Sequence, residues 1–203
     1  HLMRTKSFIA LTMVLFVAGR FEVRAGQAPG DASASPNATR IAELADIISK
    51  SAEGRDRIEQ YQAEERAYKA ALEIAKFGKE AVPTLLEMLE GKSFDVTRET
   101  LYALGEIARD PSNRTAEVRD ALIRIAKSEK NKTSDLPTAK GETYQMASKA
   151  IDIMSDWKDA KVSEGLREVA RKHPLDAVRS NAVRHISAKN HADEKFFMEL
   201  LDD

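Results

Sequence analysis

Cysteine is absent from this chain of 203 residues. That excludes a disulfide framework, a thiol nucleophile and lipidation through sulfur, so stability has to come from packing. Aromatic residues are scarce at 6%, and no run of alternating apolar and polar residues closes in hairpin turns; both facts argue against a sheet-rich fold. Neither charge sign dominates, with 32 Lys and Arg against 33 Asp and Glu. No basic excess points to nucleic acid or an anionic membrane. Long apolar runs are also missing. The run Phe8–Ala18, interrupted only by Thr12, would span about 17 Å as a helix, against about 30 Å for a bilayer core.

That short run nevertheless has the grammar of a secretory signal. Arg4 and Lys6 precede it, and Val23-Arg24-Ala25 offers a small-residue cleavage site ahead of Gly26. His1-Leu2 before Met3 reads as a short cloning remnant. Residues 1–25 are therefore assigned to the signal, and 26–39, rich in Ala, Ser, Pro and Gly, to a flexible tether. Residues 40–203 form the folded domain. Removing 1–25 leaves 28 basic against 32 acidic residues, a formal charge of −4. The expectation is an exported protein, periplasmic or secreted, with no stable membrane anchor after cleavage.

What the chain does have is repetition. Helices with small residues on one face recur at Arg66–Gly78, Val96–Ile107, Thr143–Met154 and Val178–Ser187. Aligned on those faces, Ile74, Leu104, Ile151 and Ile186 lie 30, 47 and 35 positions apart, the spacing of stacked structural repeats. Small residues three and four apart let a neighbouring backbone approach while large aliphatics fill the remaining space. Between these helices run second apolar stripes: Val82, Leu85, Leu86 and Leu89; Val118, Leu122, Ile125 and Ala126; Val162, Leu166, Val169 and Ala170. Pro83 fits only a first helical turn, where its missing N–H is not needed. A last helix carries Phe196, Phe197, Leu200 and Leu201, with Asn190 as its N-cap and Asp193 in its first turn. The fold class is all-α. No single helix pair buries enough apolar surface to offset its own ordering, so neighbours must stack.

The motifs Val178-Arg179 with Ala182, Ala103-Leu104-Gly105 with Glu106-Ile107, and Ala81-Val82-Pro83 resemble the HEAT-repeat family, in particular its short bacterial HEAT-like, lyase-type repeats. The resemblance covers about residues 65–203; Arg40–Glu64 reads as one or two more helices, a divergent N-terminal cap. It implies a right-handed α-solenoid of stacked antiparallel helix pairs. Thr97 stands where the family has Arg, and Ile151-Asp152 and Ile186-Ser187 replace its Leu-Gly. The resemblance carries little information about activity. The family's metal-dependent hydroxylases bear His-Glu pairs that this chain lacks, nothing marks a tetrapyrrole pocket of the bilin lyases, and the cationic, aromatic groove of its DNA glycosylases does not suit a net acidic exported chain.

Candidate chemistry is correspondingly thin. His173, His185 and His191 sit near Asp176, Asp193 and Glu194 but lack the i, i+4 spacing of a helical metal site, and read as surface or packing histidines. Serines are plentiful without a nucleophile-elbow pattern, and no Gly-rich phosphate loop occurs. No catalytic residue, metal ligand or cofactor is assigned. Trp157 reads as filler of a seam between repeats, the polar insertion Ser128–Ala139 as a connector, and the sequons at Asn37, Asn113 and Asn131 as exposed glycosylation sites if the source is eukaryotic.

The recurring helices leave three positions per copy facing away from the packed layer. These are Tyr68, Lys69 and Leu72; Arg98, Glu99 and Tyr102; Gln145, Met146 and Lys149; and Ser180, Asn181 and Arg184. In a solenoid such positions line the concave face that usually binds. Tyr and Arg combine contact area with hydrogen bonding, which is why interface hot spots favour them. The partner-binding set is Tyr68, Lys69, Arg98, Glu99, Tyr102, Lys149 and Arg184, with Tyr102, Arg98, Tyr68 and Arg184 as anchors; otherwise the tyrosines merely cover repeat seams. The expected function is a protein-binding scaffold or accessory module whose partner the sequence does not identify. The alternative is a small-ligand or lyase-like protein with a pocket between repeats. Self-association through the apolar last helix, Phe196–Leu201, is a third reading.

Overall fold

Helix starts are set by side chains that accept the first unpaired backbone N–H groups. Ser35 caps Pro36–Ser49 (α1), with Pro36 in the first turn, and Asp56 caps Arg57–Ile74 (α2) by accepting from the N–H groups of Ile58 and Glu59. Ser93 caps Phe94–Ala108 (α4), Thr115 caps Ala116–Lys127 (α5) and Asp159 caps Ala160–Lys172 (α7). Val82–Met88 (α3) starts with Pro83 in its first turn, as its missing N–H requires. Ala139–Met154 (α6) and Asp176–Ser187 (α8) complete eight α-helices among the described residues. The computed structural model describes residues 35–50, 56–90, 93–128, 139–187 and 196–198, and the side chains of all these except 139–145 and 187. The stretch read as a signal, residues 26–34 of the one read as a tether, residues 129–138 of the insertion with Asn131, and His191, Asn190, Asp193, Leu200 and Leu201 lie outside the described residues, as does the Gln145 side chain.

The described residues belong to one compact unit, Ala34–Asp203, and are helical without a strand. Two successions of contacts run through it. α2 packs on α4, α4 on α6 and α6 on α8, while α1 packs on α3, α3 on α5 and α5 on α7. Across the two rows α1 meets α2, α3 meets α4, α5 meets α6 and α7 meets α8. α1 packs on both α2 and α3 and so belongs to these rows. α1 also begins at Pro36, inside the stretch assigned to the tether, because Ser35 and Pro36 together form a helix start.

The aligned small residues are the ones that go inside. Ala70, Ala71 and Ile74 of α2, Thr100, Ala103 and Leu104 of α4, Ala147, Ala150 and Ile151 of α6, and Ala182 and Ile186 of α8 are all buried. Closeness follows from size. A Cβ on Gly105 of α4 would lie 3.2 Å from Ile153 Cγ1 of α6. Thr97 and Thr100 are buried too; their hydroxyls donate back to the carbonyls of Ser93 (3.0 Å) and Val96 (2.7 Å), which satisfies them without a partner helix. Trp157 is buried under the Arg114 guanidinium, 5.5 Å from its ring centroid, and so packs as expected. Phe196 is also inside, with Arg171 4.9 Å from its ring centroid. Phe196 is therefore core, whereas Met198 is 58% exposed.

Gly78 separates α2 from α3. The helix expected to run to Gly78 stops at Ile74, and a 3₁₀ segment, Ala75–Ala81, carries the chain around with Gly78 at φ 54°, ψ −128°. Only glycine adopts that combination without strain. A Cβ there would still have room, its nearest neighbour being Asn113 Nδ2 at 3.7 Å. The cost of Gly78→Ala is therefore conformational: a loss of about 1–3 kcal/mol and a melting midpoint lower by several degrees. Thermal unfolding followed by circular dichroism checks this, and an unchanged midpoint would remove the requirement for a positive φ.

Candidate functional site

Because one face of α2, α4, α6 and α8 is spent on packing, the opposite face is left to solvent. The first three of these helices bring their side chains into a ladder there. The Tyr68 ring of α2 meets the Tyr102 ring of α4 edge to face, with centroids 5.6 Å apart and an interplanar angle of 87°. The Lys149 ammonium of α6 lies 4.3 Å from the centroid of the Tyr102 ring, held there by the negative charge of the π face. Tyr68 is exposed, and Tyr102 and Lys149 half-buried. Beside the ladder a groove of about 310 Å³ runs between α4 and α6, lined among others by Tyr102, Gly105, Glu106, Arg109, Lys149 and Asp152. Its chemistry is aromatic and mixed in charge, suited to a peptide-like surface more than to an enclosed ligand.

Three of the seven sequence-assigned binding residues, Tyr68, Tyr102 and Lys149, thus stand together. Lys69 is exposed on α2 and pairs with Glu65 at 2.7 Å. Arg184 is exposed on α8. Asp152 links that helix to α6 by accepting from Asn181 (3.2 Å) and by contacting His185 Nε2 at 3.0 Å.

Arg98 is half-buried and Glu99 buried. Arg98 bridges α2 and α4, its guanidinium within 3.6 Å of Glu64, 3.3 Å of Asp95 and 2.7 Å of Glu99. Its side chain is 26% exposed, and that of Glu99 only 3%. Arg98 is committed to the seam and Glu99 is interior, because the face of α4 turned toward α2 reaches one residue further round than the alignment implies. Met146 and Asn181, placed outward by the same alignment, are buried for the same reason on α6 and α8.

The cluster is unbalanced: one guanidinium faces three carboxylates. Glu99 Oε1 accepts from Arg98 Nε at 2.7 Å, but Oε2 is buried with no hydrogen-bond partner among the described residues. Burial pushes the Glu99 carboxyl above the usual glutamate range despite Arg98, and burial raises Asp95 likewise. Both carboxyls therefore hold a proton more tightly folded than unfolded.

Other charged residues tie the second row. Arg114 donates to the Ala108 carbonyl at 2.8 Å and pairs with Asp156 at 2.6 Å, and Arg119 pairs with Asp159 at 3.1 Å. Sequence reasoning misses these links, which join residues 42 and 40 positions apart. His173 is buried and its Nδ1 accepts from the Leu175 N–H at 3.2 Å, a packing role. Among the described residues no three His, Asp or Glu side chains could together hold a metal ion. Of the sequons, Asn113 is spent on structure: its side-chain amide donates to the Ile107 carbonyl at 3.2 Å. Asn37 lies in the first turn of α1, where its amide donates to Glu80 at 3.0 Å.

A hollow of about 670 Å³ lies between α7 and α8, with Trp157, Val162, Leu166, Asp159, His185 and Ile186 in its wall. The Trp157 indole N–H is buried and finds no acceptor among the described residues.

The seam makes two stability predictions. Glu99→Gln keeps the acceptor for Arg98 but removes a buried charge, and should stabilise the chain at pH 7 by on the order of 1 kcal/mol. The sign with pH follows from the raised carboxyl. Its contribution to stability is complete below the ordinary glutamate range and is lost as pH rises through its folded value. The advantage of Glu99→Gln should therefore shrink as pH falls from 7 toward 4. Arg98→Ala leaves the carboxylates uncompensated and should cost about 3 kcal/mol. Denaturant titrations at several pH values test both; a Gln variant less stable than the parent at pH 7 would refute the charge argument.

No family model matches this chain, and no curated protein or solved structure matches it.

Proposed function

We propose that this chain is an exported helical-repeat protein, a HEAT-like right-handed α-solenoid, that holds a protein partner against the exposed face of α2, α4 and α6. The observation that carries the reading is the ladder of Tyr68, Tyr102 and Lys149, contributed by three successive helices of one row. Each helix supplies one rung, so the face is as rigid as the packing behind it. Rigid aromatic rungs bind at low entropic cost because little side-chain freedom is left to lose. The two contact successions through α2–α4–α6–α8 and α1–α3–α5–α7 support the solenoid. The export reading rests on residues 3–25, and no helix among the described residues is long and apolar enough to cross a membrane. Affinity concentrates on Tyr102, Tyr68 and Lys149, with Arg184 further along the row and Arg98 acting only by holding α2 to α4.

A second reading, small-ligand binding, is favoured by the hollow at Trp157, whose buried indole N–H would be satisfied by an acceptor on the ligand.

The test is affinity capture from extract of the source with the parent chain and with a Tyr102→Ala/Lys149→Ala variant as parallel baits, read by mass spectrometry. The expected outcome is a protein retained by the parent and reduced at least about tenfold on the variant, consistent with hot-spot losses of about 2 kcal/mol, with both baits equally helical. Equal retention on both baits would refute the ladder as the binding face.

A further inference from the structure

The exposed side of α2 extends well beyond Tyr68, and its pattern is unlike that of the other helices. Ile58, Tyr61, Tyr68 and Leu72 are 71%, 69%, 43% and 37% exposed. With Glu65 they form a single stripe at successive spacings of three and four residues, on the side of the helix opposite the buried Ala63, Ala67, Ala70 and Ile74. Large apolar side chains in one line on a helix face need a cover. Their order identifies it: aliphatic, Tyr, Glu, Tyr, aliphatic reads the same from either end.

We infer that the cover is a second copy of this chain, its α2 laid antiparallel on the first about a two-fold axis beside Glu65. A two-fold contact requires one surface to complement itself, with residue i meeting j and j meeting i. The stripe meets that condition. Ile58 falls opposite Leu72 of the second copy, Tyr61 opposite Tyr68, and Glu65 opposite its own equivalent. A contact with an unrelated protein needs no such symmetry. The charge at the axis is compatible, because each Glu65 carboxylate is paired at 2.7 Å with Lys69 one turn along. Two neutralised pairs therefore meet at the axis, not two bare carboxylates, and the Lys69 ammonium has donors left for the opposite Glu65. On the flank, Gln62 comes opposite Lys69. The four apolar side chains offer roughly 400 Å² per copy, about half of what a standard interface buries on each partner, and the polar flanks supply more. The dimer is accordingly weak, with a dissociation constant on the order of 10 μM.

The absence of cysteine allows a direct test. In the full chain, Glu65→Cys introduces a single thiol at the one stripe position that meets itself across the axis, within reach of a disulfide or a short bis-maleimide. Glu164→Cys, exposed on α7, is the control for random collision. Sedimentation velocity from about 1 to 200 μM brackets the expected dissociation constant. The supporting result is a reversible dimer, weakened at least tenfold by Ile58→Ser/Leu72→Ser, and covalent dimer from Glu65→Cys forming well ahead of the control. Both serine positions are solvent-facing, so the helical content of that variant should match the parent. A chain that stays monomeric across the range overturns the inference, whatever else covers the stripe. So does a dimer indifferent to the serine variant, or Glu65→Cys crosslinking no faster than Glu164→Cys.

Discussion

Everything in this structure depends on how closely α2, α4, α6 and α8 approach one another. Alanine, glycine and threonine at the contact faces remove the side-chain volume that would hold the backbones apart, and dispersion falls off steeply with any gap. Gly105 against Ile153 is one example, with 3.2 Å between a Cβ that glycine lacks and Ile153 Cγ1. The large aliphatics Ile74, Leu104 and Ile151 are fully buried around the same contacts. No helix satisfies its apolar face alone; each needs a neighbour in its own row and one across. The second row, tied by Arg114–Asp156 and Arg119–Asp159, supplies the latter.

Close approach also decides which charges go inside. Once α2 and α4 are this near, the side chains flanking the contact lose solvent, and Glu64, Asp95, Arg98 and Glu99 must satisfy one another. Exposed pairs elsewhere, such as Lys69–Glu65 and Lys50–Asp46, are worth little because water screens them. The Arg98 cluster differs because Glu99 is 3% exposed and one of its oxygens is without a hydrogen bond among the described residues. An arrangement of this sort specifies register more than it adds stability: sliding α4 along α2 would part Arg98 from Glu64, the one member of the cluster that α2 supplies.

The repetition is legible in the sequence because burial imposes a period, and small residues recurring at that period mark helix faces in close contact. The buried faces of α2, α4, α6 and α8 and the place of Pro83 follow from that period directly. Register around each helix is harder to read. An alignment that treats every copy alike turns Glu99, Met146 and Asn181 outward, yet a helix with neighbours on both sides buries more than one face. The polar character of Glu99 offers no warning, since a glutamate beside an arginine is ordinarily solvated. The ladder is half legible: Tyr68, Tyr102 and Lys149 stand out as candidates, but their meeting depends on residues 34 and 47 positions apart coming into register, which no local pattern encodes. The ties from Arg114 and Arg119 are illegible for the same reason.

Tyr68 is common to the two proposed surfaces, and that couples them. In the ladder its ring edge supports Tyr102; in the self-paired state its exposed side lies against Tyr61 of the second copy. A partner that covers Tyr68 removes part of the stripe, so partner binding and self-pairing oppose each other by a shared free energy, equal in both directions by linkage. A weak dimer is the form in which such competition is useful. A dissociation constant in the micromolar range leaves a scarce chain monomeric with its ladder open, whereas a concentrated chain covers its most apolar helix with itself. Tyr102 and Lys149, one and two helices away from the stripe, sit outside that contact, which leaves part of the ladder available in either state. The same helix that needs a cover for its apolar stripe is thus the one that supplies the first rung of the binding face.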